Sequence, residues 1–214
     1  MSCPTGRDWS ATAESRAVEN PEPIGSAAMN NPLRILQTLD RHLARPTEIT
    51  LFGRAALALG FADSPARFGT TRDVDAILPL NWLEAEDQNL DFWEAQQKTN
   101  AELESEGLYI THLFREFEII LRPSWLTYRV RVALLLSKLT VWRPAVPDLV
   151  LTKMARGDEN DIDDIRFLLQ QDQIPVSDLQ AAFAQARVPD VAEIRELFRA
   201  SQPKVLALAN GRRL

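Results

Sequence analysis

The sequence predicts an α/β (α+β) protein, in which a small mixed sheet flanked by helices is followed by a C-terminal helical segment. Three observations predict it. A short apolar strand pattern at residues 48–52 runs through Gly53 into a helical pattern, and two stretches rich in β-branched, aromatic and aliphatic residues, 108–114 and 116–121, read as paired strands. From Pro123 onward helix-start signals take over. With 214 residues the chain can bury one sizeable core or two small ones. The organisation expected is a disordered tail at 1–28, a sheet-bearing core at 29–125, and a helical segment at 126–214 that completes a cleft.

Residues 1–28 are rich in Ser, Ala, Pro and Glu and bury too little to offset the entropy of ordering them. They carry no continuous apolar stretch of the kind a secretory signal needs. Met29 at their end is a second candidate start. Leu33, Ile35, Leu36, Leu39 and Leu43 then recur at helical spacing, so residues 32–44 form an amphipathic opening helix ended by Pro46. After the strand–glycine–helix unit comes a loop with Asp63, Pro65 and Gly69, and residues 73–78 read as a strand closed by Pro79. Asn81 with Glu84 three residues on resembles a capping box for a long acidic helix reaching towards Glu106. Its acids read as a solvated face rather than a docking surface. Ser177 with Gln180, and Pro189 before Asp190, mark starts among three or four short helices between 147 and 201.

Composition narrows the partners. The chain has 30 acidic against 24 basic side chains, a net charge of −6, which opposes blanket attraction to nucleic acid or anionic lipid. Any phosphate-bearing partner must meet a local basic patch. Cys3 is the single cysteine, so no intramolecular disulfide forms, and no run approaches the about 18 apolar residues of a membrane-spanning helix. A reducing, cytoplasmic setting without membrane contact is the expectation.

The chemistry-bearing residues centre on Thr71-Arg72-Asp73-Val74-Asp75. In a strand, residues two apart share a face, so Asp73 and Asp75 project together while Val74 points into the core. Adjacent carboxylates repel one another unless a cation lies between them. Mg²⁺ supplies that charge and bridges to nucleotide phosphates. Upstream, Gly53 lets the backbone approach a phosphate. Downstream, Glu116 and Glu118 share a face of the next strand, and Glu118, or Glu116 in its place, supplies the third carboxylate of a two-metal site. In the C-terminal part, helical geometry puts Val150, Leu151 and Met154 on an apolar stripe, with Thr152, Lys153 and Arg156 on the other side. In the next helix Asp164 falls at the edge of the buried stripe of Ile162, Ile165, Leu168 and Leu169, whereas Asp163 points away. A carboxylate near a packing face needs a partner, and Lys153 or Arg156 across the short 157–160 connection is the expected one. His42 and His112 are too few for a metal cluster, and the serines lack a nucleophile context.

Taken in order, Gly53-Arg54 with Asp73 and Asp75, then Glu118, then Thr152-Lys153-Met154-Ala155-Arg156, then Asp161-Ile162-Asp163-Asp164 resemble the motifs of the nucleotidyltransferase superfamily. The variant most resembled is the abortive-infection type of toxin nucleotidyltransferase and its uncharacterised bacterial relatives. The resemblance spans about residues 48–170. It implies a nucleotidyltransferase-like core at 29–125 and Mg²⁺-dependent transfer of an NMP group from an NTP to an acceptor that is tRNA, protein or a small molecule such as an aminoglycoside. It assigns metal binding to Asp73, Asp75 and Glu118, nucleotide contacts to Gly53, Arg54, Thr152, Lys153 and Arg156, and acceptor positioning or deprotonation to Asp161 or Asp164. It also implies a place in a toxin–antitoxin or phage-defence pair, with a cognate antitoxin or toxin as partner. Arg54 departs from the pattern, which has a small residue there. A guanidinium either blocks the phosphate or holds it, and the blocked form would be a catalytically inactive, antitoxin-like binding protein.

Overall fold

The computed structural model describes residues 30–78, 82, 89–172 and 174–211, with His112 described by its backbone alone. It is an α+β structure built on a mixed sheet flanked by helices and followed by a C-terminal helical segment.

Helix α1, Asn31–His42, starts where the Asn30 side chain accepts a hydrogen bond from the Leu33 amide, with Pro32 in its first turn. It ends as Leu43 turns to extended geometry ahead of Pro46, two residues before the end expected from the pattern. Strand β1, Thr47–Phe52, leads without a loop into α2, Gly53–Leu59. A one-turn helix α3, Ala66–Gly69, precedes β2, Asp73–Leu78, which has the expected bounds. The capping box expected at Asn81 and Glu84 lies outside the described residues. Helix α4 runs Leu90–Leu103 and tightens into a 3₁₀ turn, Glu104–Glu106, that Gly107 closes at φ 64°.

Strand β3, Tyr109–Arg115, follows, but the expected second strand beyond it is different. Residues Glu116–Glu118 form a 3₁₀ turn, because the Glu118 carboxylate accepts the Arg115 amide and folds the chain back. Beyond it the ladder is reduced to one bridge, Leu121 to Arg187. Two strands then lie within 126–214, the stretch expected to be a helical segment: β4, Val130–Arg131, and β5, Leu139–Arg143. Helices α5, Val146–Lys153, α6, Glu159–Asp172, α7, Val176–Gln185, and α8, Ala192–Ala209, complete the chain.

The sheet order is β3-β2-β1-β5-β4, so β5 pairs in parallel with β1 and the boundary drawn at 125/126 cuts through the sheet. The pairs β1–β2 and β4–β5 are antiparallel, and β2–β3 is parallel. One sheet face carries Ile49, Leu51, Val74, Ala76, Ile110, Leu139 and Val141 into the main core, with Ile35, Leu36 and Leu39 of α1 and Leu149 to Leu151 of α5. On the other face Ile77, Ile119, Leu121 and Trp125 make a second cluster, against which Phe52 and Phe114 meet edge to face at 5.1 Å. Asp73 and Asp75 stand on that second face, where the cluster ends.

Buried polar contacts fix the connections. Asp40 of α1 accepts hydrogen bonds from the amides of Ser137, Lys138 and Leu139 and from the Ser137 hydroxyl, which ties the entry of β5 to the first helix. Asp148, fully buried in α5, is gripped by Arg122 through Nε at 3.0 Å and Nη2 at 2.7 Å.

Candidate functional site

Alternation along β2 does what the sequence requires: Val74 and Ala76 are buried in the core, and Asp73 and Asp75, alternating with them, are half-buried on the opposite face. Asp73 accepts a 2.6 Å hydrogen bond from the Thr71 hydroxyl. Asp75 lies opposite Phe52, the last residue of β1, so the next residue, Gly53, comes directly beside its carboxylate. Gly53 has φ 62°, and a Cβ built there would lie 3.0 Å from Asp75 Oδ2. The glycine is therefore required twice, by its left-handed backbone and by the approach of the acid. On the other side the β2–β3 register sets Tyr109 opposite Asp73 and His112 opposite Asp75, with an irregularity between Val74 and Asp75. Tyr109, 37% exposed, is a neighbour of the acid pair that sequence patterning did not single out. Only strand register reveals it.

The third carboxylate is not where it was expected. Leu78 pairs with Arg115, so Glu116 and Glu118 lie past the end of β2 that is remote from Asp73. Glu118 spends an oxygen on the Arg115 amide at 2.9 Å, and Glu116 accepts the Trp125 indole N–H at 2.7 Å. Both acids close the turn after β3. Among the described residues, no group of three or more His, Cys, Asp and Glu side chains converges as a metal site. The pair itself still offers hard oxygen donors from two carboxylates on one strand face, the ligand chemistry that Mg²⁺ takes.

The C-terminal motifs come together as an ion-pair cluster. Lys153, at the end of α5 and 5% exposed, donates to Asp164 Oδ2 at 2.6 Å and Asp161 Oδ1 at 3.3 Å. Both acids are 1% exposed, on the inner side of the first turns of α6. Arg156 grips Asp161 with Nε and Nη2, each at 3.0 Å. This bond outweighs the partial burial of the guanidinium and raises the Arg156 pKa above its usual value. The turn is set by Gly157 at φ 68° and by Asp158, whose carboxylate accepts the Asp161 amide.

Asp164 does find Lys153 across the short connection, and Asp163 does point away, pairing with Arg166 on the surface. Lys153, however, does not stand on an open cationic face. Helix α5 ends at Lys153, so the side chain folds into the junction with α6, while Arg156 leaves from the turn beyond. Thr152 gives its hydroxyl to the Leu149 carbonyl of its own helix at 2.7 Å.

Arg54 joins the two halves. From the first turn of α2, beside Gly53, its Nε reaches within 3.6 Å of Asp164 Oδ2, and its Nη2 donates to Asn160 Oδ1 at 3.2 Å. A continuous path thus runs from Asp75 through Gly53 and Arg54 to Asp164 and Lys153. The fold and site define an α+β protein with an acid pair at a sheet end, coupled by one arginine to a buried ion-pair cluster. No known protein family, curated protein or solved structure matches the chain significantly.

Proposed function

We propose that the chain is a Mg²⁺-dependent nucleotidyltransferase that moves an NMP group from an NTP to an acceptor hydroxyl. The observation that carries this reading is the path from Asp75 through Gly53 and Arg54 to Asp164, which joins the motif residues of both halves. Asp73 and Asp75 would hold the cation, whose chemistry is to neutralise the phosphate oxygens during in-line displacement of pyrophosphate. Gly53 keeps a side chain from the space next to Asp75. Asp164 has one oxygen, Oδ1, that is buried without a hydrogen-bond donor among the described residues, whereas both Asp161 oxygens are taken by Lys153 and Arg156. Both acids are 1% exposed, so in this reading they act on the acceptor through the groups they position, Asp164 through Arg54 and Asp161 by holding the cluster together. The resemblance extends the reading to a toxin–antitoxin or phage-defence pair, with tRNA, protein or a small molecule as acceptor.

A second reading has its own observation. Glu116 and Glu118 are both engaged away from Asp73 and Asp75, so the chain is a binding protein on the same scaffold if two carboxylates do not suffice for transfer. Calorimetry with Mg²⁺ and each NTP tests the transferase reading: binding is expected, and Asp73→Asn should abolish it. Absence of binding, or indifference to that substitution, removes the transferase reading and leaves the binding protein in which Arg54 blocks the phosphate site. Label from an α-³²P-NTP appearing on RNA, protein or a small molecule selects transfer and its acceptor class. Tight binding with no labelled product selects the binding protein.

A further inference from the structure

Three cations surround the cluster, and they are not equivalent. Lys153 is 5% exposed and held between two carboxylates, so a ligand could reach it only by breaking a buried ion pair. Arg156 is open to solvent but commits two guanidinium nitrogens to Asp161. Arg54 differs from both. Its side chain is 40% exposed, and its Nε lies 3.6 Å from Asp164, close enough for attraction but beyond hydrogen-bond length. A hydrogen bond to Asn160 orients the planar group, and among the described residues most of its N–H fork is unspent. It also projects from the residue next to Gly53, the one cation of the cluster that adjoins the acid pair.

Resting on the transferase reading for its setting, we infer that Arg54 is the phosphate-binding residue beside the acid pair, and that Asp164 and Asn160 are positioning residues that pre-orient its guanidinium. The ligand class is a polyphosphate chain, whose oxygens match the fork bidentately. Of the cations to which the motif resemblance gives nucleotide contacts, Arg54 then makes the phosphate contact, and Lys153 instead holds Asp164 in place. The residue that departs from the family pattern is thereby a contact and not an obstruction.

The experiment measures binding by the full chain of each Mg-NTP, and of inorganic triphosphate with and without Mg²⁺, by calorimetry at fixed ionic strength. Arg54→Ser, which installs a small residue, should weaken binding about tenfold or more. Arg54→Lys should recover part of the loss, as a point charge without the fork. Asn160→Ala should weaken binding by less, with an unchanged melting temperature for all three variants. Equal losses for inorganic triphosphate and NTP identify bare phosphate as the chemistry recognised, and losses confined to NTP identify the nucleotide; both support the role of Arg54. Unchanged or tighter binding by Arg54→Ser overturns it, because the side chain then obstructs the site. If Asp73→Asn abolishes binding while Arg54→Ser does not, the inference falls and the transferase reading stands. If triphosphate binding depends on Arg54 but on neither Mg²⁺ nor Asp73, the inference stands and the transferase reading falls. Absence of all binding overturns both.

Discussion

A Cβ on residue 53 would lie 3.0 Å from Asp75 Oδ2, so the glycine at the start of α2 and the second acid of β2 are packed to contact. The antiparallel register that sets Phe52 opposite Asp75 makes this contact unavoidable. Gly53→Ala must accommodate both a left-handed φ of 62° and the carboxylate. The backbone alone costs about 1–2 kcal/mol, and displacement of Asp75 adds to it. We expect a lower urea midpoint and, under the proposed transferase reading, lost Mg²⁺ binding. A variant of wild-type stability with full metal affinity would show that the contact is unimportant.

The buried cluster makes a different prediction. Lys153→Met retains the aliphatic stem and removes the charge that neutralises Asp161 and Asp164, both 1% exposed. Leaving buried carboxylates without their partner costs about 3–5 kcal/mol. Arg156 continues to hold Asp161, so Asp164 bears most of the loss. Equilibrium urea denaturation measures it, and a change below about 1 kcal/mol would mean that water or Arg54 replaces the ammonium.

The elements that sequence made legible are those whose periodicity is local. Alternation through Asp73, Val74 and Asp75 gave β2 its bounds and faces, and the helical spacing of Ile162, Ile165 and Leu168 separated Asp164 from Asp163. Strand β5 was missed although Leu139, Val141 and Arg143 alternate with Thr140 and Trp142, because a cationic end residue is buried where an apolar one is expected. Arg143 tolerates that position by donating to the Gly60 and Pro144 carbonyls and stacking on Phe61 at 4.1 Å, while burial lowers its pKa. Glu118 was misplaced for the opposite reason. Its segment has strand-like composition, but one side chain-to-amide hydrogen bond turns the chain, and composition does not encode that. The contact between Arg54 and Asp164 spans 110 positions and follows only from the packing of α2 against α5 and α6.

Arg122 and Asp148 allow a buried pair to be compared with a surface one. Asp148 is fully buried and accepts from the Arg122 amide, Nε and Nη2, and its bond holds the Arg122 pKa above the usual value. The Arg45–Asp91 pair is also bidentate, at 2.7 and 2.9 Å, but lies at the surface. Arg122→Ala should cost about 3–5 kcal/mol because it strands a buried charge. Arg45→Ala should cost below about 1 kcal/mol. Chemical denaturation of the two variants side by side tests this, and equal costs would contradict the role assigned to burial.

Asp40 makes stability depend on pH. Burial by itself raises its pKa, but the Ser137, Lys138 and Leu139 amides and the Ser137 hydroxyl together outweigh that and leave it below the ordinary carboxylate value. A group whose pKa is depressed on folding contributes stability above its unfolded pKa of about 3.9, and the contribution is lost as pH falls through the lower folded value. Protonation removes acceptor capacity just where three consecutive amides need it, at the junction that brings β5 to β1. Asp40→Asn should therefore destabilise the protein near neutral pH by about 2 kcal/mol or more, and the penalty should shrink as pH falls below about 4. Urea midpoints of wild type and variant at a series of pH values read the difference directly. A penalty that stays constant from neutral pH into the acid range would mean that shape, and not the carboxylate charge, secures the β5 junction.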